Sequence, residues 1–316
     1  MKKAWVGVDI GGTKIAIAIV DEQGSILAED KIATEVEKGP EPAAERMIRV
    51  IRSLIESQDC EIQAIGIGSP GPIDAGKGTI LRPSNLHTWD DYPIVDRIQS
   101  AFGIHTVLGN DADLAGLAEY RFSLEGSHQN VAYVTVSTGV GGGIISNGRL
   151  HAGSSSCAGE FGHMIVQKNG PLCGCGKHGC LEAFSSGTGI ANRMRDEVLG
   201  HPEHPLYALA KSGELTAKEV FEAYDKGEAL AHSVIEQAED YLAISLANVI
   251  NLLNPTVLIM GGGVALGQPR FTKAVQRKIG DYAIVQNMET VTLALAKFQD
   301  KAGVVGAAAL AMMDEQ

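Results

Sequence analysis

Trp5-Val6-Gly7-Val8-Asp9-Ile10-Gly11-Gly12-Thr13-Lys14-Ile15-Ala16-Ile17-Ala18-Ile19-Val20 is an apolar run ending at an aspartate, a glycine turn and a second apolar run. It reads as strand, tight turn, strand. Such glycines either supply the positive φ of a hairpin or let backbone N–H groups approach an anion without side-chain obstruction. The turn is not a Walker loop, because the six-residue glycine spacing before Lys-Ser/Thr is missing. It is not a dinucleotide fingerprint either, because a strand follows instead of a helix.

Working outward, Asp21-Glu22-Gln23-Gly24 forms a polar turn into a third strand over 25–33. Ala43, Met47, Val50, Ile51, Leu54 and Ile55 fall on one face of a helix over 42–57, with Pro42 in its first turn. A strand at 64–68 exits into the rigid loop Ser69-Pro70-Gly71-Pro72, a helix is expected over 94–102, and a strand at 106–108 leads through Gly109-Asn110-Asp111 into a helix over 112–122. At Val131 the opening pattern begins again: strand 131–137, glycine turn Thr138-Gly139-Val140-Gly141, strand 142–146 and an Asn147-Gly148 hairpin turn. Helices follow over 187–198, 217–225 and 228–252, then a buried strand over 256–260 feeding Gly261-Gly262-Gly263, and a last helix over 304–313 suited to pack back on the first half. The chain contains one unit twice, and strands followed by helices predict an α/β architecture with helices on mixed sheets.

The 316 residues suggest two domains. With 26 Lys+Arg against 38 Asp+Glu the formal charge is −12, which argues against a broad electrostatic grip on nucleic acid or an anionic membrane. Any phosphate must be held locally. The longest apolar stretch, 243–260, is interrupted by Ser245, Asn248, Asn251, Asn254 and Pro255, so no membrane span is expected. Met1-Lys2-Lys3 and the apolar 4–8 resemble the opening of a signal peptide, but Asp9 and Gly11-Gly12 end that run too early, and a cytoplasmic protein is expected.

Cys173, Cys175 and Cys180 fall within eight residues, among Gly174, Gly176 and Gly179, and with His163 they make a Cys₃His set suited to tetrahedral zinc. His178 is an alternative fourth ligand on spacing alone. Four protein ligands close the site, so the metal's task is to fix a loop, with no vacancy for an activated water. Cys60 and Cys157 have no partner pattern and read as structural. Asp111, at a strand-to-helix junction, reads as a helix N-cap or as a carboxylate presented at a strand end.

Val8-Asp9-Ile10-Gly11-Gly12-Thr13-Lys14 resembles the first phosphate motif of the sugar-kinase, actin and Hsp70 superfamily, and Thr138-Gly139-Val140-Gly141-Gly142-Gly143 resembles the second. Gly159-Glu160-Phe161-Gly162-His163, followed by Cys173-Gly174-Cys175-Gly176-Lys177-His178-Gly179-Cys180-Leu181-Glu182, resembles the signature of the ROK family of bacterial repressors and sugar kinases, with the match running over about residues 5–310. The resemblance implies a two-lobed actin-like ATPase fold of duplicated mixed-sheet units with a zinc-binding insertion. Its smaller lobe would be 1–114 plus about 300–316, and its larger lobe 115–299.

The resemblance further implies ATP-dependent phosphorylation of the 6-hydroxyl of glucose, with Asp111 as the catalytic carboxylate. Other hexoses such as N-acetylmannosamine, N-acetylglucosamine or fructose are alternatives, and the intact three-cysteine set weighs against fructose. Asn85, Asn110, Asp111, Glu160, His163 and Glu182 would bind the sugar, and His163 would join Cys173, Cys175 and Cys180 on zinc. Asp9 would hold hydrated Mg²⁺, while Gly11, Gly12, Thr13, Thr138, Gly139, Gly261, Gly262 and Gly263 would contact ATP. Thr188 at a helix start is a further nucleotide candidate, and Lys14 is expected to face solvent. The family suggests dimers or tetramers, of which a homodimer is expected, and a place in carbohydrate metabolism. Its repressor members carry a DNA-reading segment ahead of the sugar domain, whereas here the first motif starts near residue 8, so no nucleic-acid partner is expected.

Overall fold

Alternation along the first strands decides what each face of the first sheet can hold. The computed structural model describes residues 2–314. Strands β1 (Lys2–Ile10), β2 (Lys14–Asp21) and β3 (Ile26–Ala33) form an antiparallel meander, followed by helix α1 (Pro40–Glu56) and strand β4 (Cys60–Ser69). A small hairpin of β5 (Ile73–Asp74) and β6 (Thr79–Ile80) precedes helix α2 (Ile94–Phe102), strand β7 (Thr106–Asn110) and helix α3 (Asp111–Ala118). β4 pairs parallel with both β1 and β7, giving the order β3-β2-β1-β4-β7.

Then come β8 (Val131–Val136), β9 (Val140–Ser146) and β10 (Arg149–Leu150), with Asn147 and Gly148 both at positive φ in the β9–β10 turn. That is the conformation a two-residue hairpin loop demands. Helices α4 (Leu181–Ser185), α5 (Gly187–Val198), α6 (Tyr207–Ser212), α7 (Ala217–Asp225) and α8 (Ala229–Leu253) lead to β11 (Val257–Gly261). Helices α9 (Gly263–Gly267), α10 (Pro269–Ile279) and α11 (Val285–Met288), strand β12 (Thr292–Leu295) and helix α12 (Ala302–Asp314) complete the described chain. The second sheet has the order β10-β9-β8-β11-β12, with β11 parallel to both β8 and β12. Each sheet thus places its third, second, first, fourth and fifth strands in the same sequence, which is the expected duplication.

The chain divides into two compact units, one comprising the residues up to Gln129, Gly143–Gly159 and those from Asp300 onward, the other Asn130–Gly142 and Glu160–Gln299. In the first unit, Val6, Val8, Ile10, Ile65, Ile67 and Leu108 pack with Ala43, Ala44, Met47, Ile48 and Ile51 of α1 and Ile94 and Ile98 of α2. The intervening residues face α12. A Cβ on Gly7 would lie 2.0 Å from Val304 O, and one on Gly66 1.8 Å from Ala307 O. Bare backbone is therefore required for the helix to lie directly on the sheet, and α12 is correspondingly built of small residues, nearly all buried. In the second unit α8 is the central helix, packed by α4, α5, α7 and α10.

Several expected boundaries shift for identifiable reasons. α1 opens at Pro40, whose missing N–H suits the first helical position, so Pro42 lies inside the first turn. The helix expected over 112–122 is α-helical only to Ala118, and Glu119–Ser123 continues as a wider turn. Asn110, and not Asp111, caps α3: its Oδ1 accepts from Ala112 N–H at 3.0 Å and Asp113 N–H at 3.3 Å. Among the described residues no helix is long and apolar enough to cross a membrane.

Candidate functional site

In the first unit the carboxyl ends of three parallel strands stand side by side, with Asp9 opposite Gly68, Gly68 opposite Gly109, and Ser69 opposite Asn110. This is where open α/β sheets place ligands. Gly11 N–H donates to Lys14 O at 2.9 Å, closing the turn between β1 and β2. Thr34, fully buried, latches that turn: its N–H donates to Thr13 O at 3.0 Å and its hydroxyl to Gly11 O at 2.6 Å. Neither Gly11 nor Gly12 has positive φ. Gly12 is bare because a Cβ there would lie 3.0 Å from Asn85 O and 3.2 Å from Asn85 Cβ. Asn85, on a one-turn helix at Ser84–Leu86, is thereby brought against the first glycine turn.

Asp111 is the first residue inside α3, with its Oδ1 2.8 Å from Ala112 N–H. Because Asn110 does the capping, a capping role does not account for Asp111. A carboxylate there also sits favourably at the positive end of the helix dipole. Asp9 is the perturbed group: burial first, and the charge of Asp111 second, push its carboxyl up from 3.8 to about 6, against the lowering pull of Lys14. Lys14 itself is exposed, as expected. The Asp9 carboxylate abuts Gly303 near the start of α12, where a Cβ would come within 2.5 Å of Oδ2.

A native pKa above the unfolded value means that the folded state holds the proton more tightly. Stability should therefore fall as pH rises from about 4 to about 6 and keep that deficit above it. Asp9→Asn removes the deficit. Without divalent cations, the variant is expected to exceed the parent by roughly 1–3 kcal/mol at pH 7.5 and to match it below pH 4. Thermal unfolding across pH checks this, and equal Tm values at pH 7.5 would refute it.

In the second unit, Thr138 and Gly139 join β8 to β9. Ser137 N–H donates to Gly139 O at 2.9 Å, Gly187 N–H to Ser137 O at 2.7 Å, and Thr188 N–H to Thr138 O at 3.3 Å. The first amides of α5 thus brace the turn through its carbonyls, which assigns the Thr188 N–H a structural partner. Val140 N–H donates to Glu182 Oε2 at 3.0 Å, and a Cβ on Gly139 would lie 2.6 Å from the same oxygen. Gly139, like Gly12, does not have positive φ, and what lies against its bare face is the mobile end of the Glu182 side chain. Gly262 does have positive φ, 88°, and a Cβ on it would meet Val136 O at 2.5 Å and Thr135 Oγ1 at 2.6 Å. The structure thus places Gly261, Gly262 and Gly263 against residues 135–137, directly before the Thr138-Gly139 turn.

His163, Cys173, Cys175 and Cys180 form a cluster whose ligand atoms all lie within 4.8 Å of one another. Cys173 Sγ is 3.7 Å from His163 Nδ1, and Cys175 Sγ is 3.7 Å from Cys180 Sγ. Zinc–sulfur bonds of about 2.3 Å give a tetrahedral edge of about 3.8 Å, so the donor set fits zinc. Gly179 permits the loop's tight course: it has φ 79°, and a Cβ there would overlap Gln167 O at 1.7 Å. His178 stands apart, its Nδ1 3.0 Å from Gly170 O, which resolves the alternative left by spacing in favour of His163. The other ring nitrogen of His163 lies 3.7 Å from Glu160 Oε2. Thr34 and the Glu182–Val140 contact had no local sequence signal, because partners 21 and 42 positions apart leave no periodic trace.

Residues 5–314 match the family model described as ROK family. A glucokinase of Thermotoga maritima is 33% identical over 98% of this chain and 97% of its own length. An N-acetylmannosamine kinase of Yersinia pestis is 34% identical over 96% of each. The crystal structure of a ROK family glucokinase from Streptomyces griseus, in complex with glucose and AMPPNP, superposes with a TM-score of 0.79 at 32% identity, covering 98% of this chain and 99% of that one.

Proposed function

Since the chain belongs to the ROK family, with the actin-like fold of its sugar kinases, we propose that it is an ATP-dependent hexose kinase acting on the 6-hydroxyl of glucose. The observation that carries the reading is the carboxylate pair at the ends of β1 and β7. Asp9 is held near enough to Asp111 for the charge of Asp111 to disfavour that of Asp9, a cost that a bound cation would relieve.

Asp111 takes the proton of the attacking hydroxyl. Phosphoryl transfer has a loose transition state, so a positioned carboxylate suffices as proton acceptor and most of the catalysis is alignment and charge stabilisation. The Asp9 carboxylate fits a hydrated Mg²⁺, which when bound neutralises phosphate charge. Backbone amides of Gly12, Thr13, Thr138 and Gly139 hold the phosphates, with Gly11 closing the first turn onto Lys14 O, and the Gly261-Gly262-Gly263 segment contacts adenosine. Asn85, Asn110, Glu160, His163 and Glu182 bind hydroxyls, and a mismatched stereoisomer would leave one of these groups buried and unpaired. Asn110 has only its Nδ2 to offer, because its Oδ1 caps α3. Zinc on the Cys₃His set holds the loop that carries Glu160 and Glu182.

Glucokinase relatives at 33% identity support glucose, and a 34% identical N-acetylmannosamine kinase keeps that amino sugar as a second reading. A coupled ADP-release assay over hexoses and N-acetylhexosamines is expected to give its highest kcat/KM with glucose. A higher value for N-acetylmannosamine replaces the substrate, and no ADP with any sugar ends the kinase reading.

A further inference from the structure

Glu182 sits one residue past the start of α4, and Cys180, a member of the metal cluster, is that helix's N-cap. The metal-binding loop is tied to the same point by backbone, with Leu181 N–H donating to Met164 O at 2.9 Å and Ile165 bridging to Cys180. From there the Glu182 carboxylate reaches across 42 residues of sequence to the second glycine turn. Its Oε2 accepts the Val140 N–H at 3.0 Å, and its Oε1 lies 3.5 Å from Cys173 Sγ. Gly139 has no side chain where a methyl would collide with Oε2. One half-buried carboxylate therefore spans from the metal-binding loop to the turn.

We propose that Glu182 is a positioning residue for the nucleotide: it fixes the Val140 amide and so pre-shapes the Thr138-Gly139 turn before any sugar arrives. This inference rests on the reading that the turn holds ATP phosphates. The turn's carbonyls are already braced by α5 through Gly187 and Thr188. The Glu182 bond is its counterpart on the donor side, so the turn is fixed from both directions. A charge-assisted bond to a backbone amide is among the stronger hydrogen bonds, and a turn that must be ordered by its ligand binds that ligand more weakly.

The test uses full-length metal-loaded protein without sugar, comparing the parent with Glu182→Ala and Glu182→Gln. Amide hydrogen exchange over residues 138–141 is expected to speed up about tenfold in Glu182→Ala. The affinity for Mg-AMPPNP by calorimetry should fall about tenfold in the same variant. Glutamine keeps an acceptor oxygen and should restore both to within about threefold, whereas a role confined to sugar contact would leave both readouts at parental values in all three proteins. Unchanged exchange in Glu182→Ala overturns the inference whatever the nucleotide does. If exchange quickens but the parent itself binds no Mg-AMPPNP, the kinase reading fails and takes the nucleotide role of Glu182 with it.

Discussion

Asp111→Asn is expected to lower kcat by about three orders of magnitude while leaving hexose affinity within about threefold. The substitution keeps the shape of the side chain and an oxygen able to accept the Ala112 N–H, and Asn110 continues to cap α3, so the helix start should persist. What disappears is the ability to take a proton as the hydroxyl attacks. The loss should therefore appear in turnover and not in ground-state binding. A second readout follows from the carboxylate pair. Removing the Asp111 charge takes away one of the two causes that raise Asp9, so the acid-side stability step assigned to Asp9 should move to lower pH. Near-parental turnover would remove Asp111 from the mechanism.

The second large effect belongs to the metal cluster. Cys180→Ala removes a buried ligand that also begins α4, and it should abolish stoichiometric zinc and lower Tm by roughly 6–12 °C, equivalent to about 3 kcal/mol for a unit of this size. Structural zinc can contribute more than that in a peptide with no other core, but here α8 and its neighbours retain their own packing. His178→Ala serves as the control: its ring bonds a backbone carbonyl outside the cluster, and that variant should keep its zinc. Metal analysis after desalting decides, and a folded, active Cys180→Ala at parental Tm would show that the cluster carries no structural load.

Much of the fold was legible because its signals are local. The apolar run, aspartate and glycine turn of residues 5–20, repeated from Val131, correspond to β1–β2 and β8–β9, and the helices at 187–198 and 217–225 have the expected limits. The three cysteines were legible because their spacing is itself the chemistry, whereas the choice of His163 over His178 is made by the fold. What stayed hidden depends on neighbours remote in sequence. α10 is the exception: Phe271, Ala274, Val275 and Ile279 recur at helical spacing with Arg and Lys on the other face, a local signal that the expected elements left out. β12 is partly exposed and too short for alternation to stand out. Gly12 is crowded by the backbone of Asn85, a contact that no turn rule could foretell. Asn110 and Asp111 are both good cap residues, and sequence alone does not say which one points back at the helix.

The close seating of α12 on β1 and β4 has a consequence for how the protein is made. Val304 and Ala307 touch Gly7 and Gly66, so the first sheet receives the filler of one face only after the ribosome has passed through the entire second unit. Until then α3, through Leu114 against Gly68 and Gly109, covers only part of that face, and the loop-closure entropy of an intervening unit is still to be overcome. The first sheet is thus completed by a helix that lies a whole unit away in sequence.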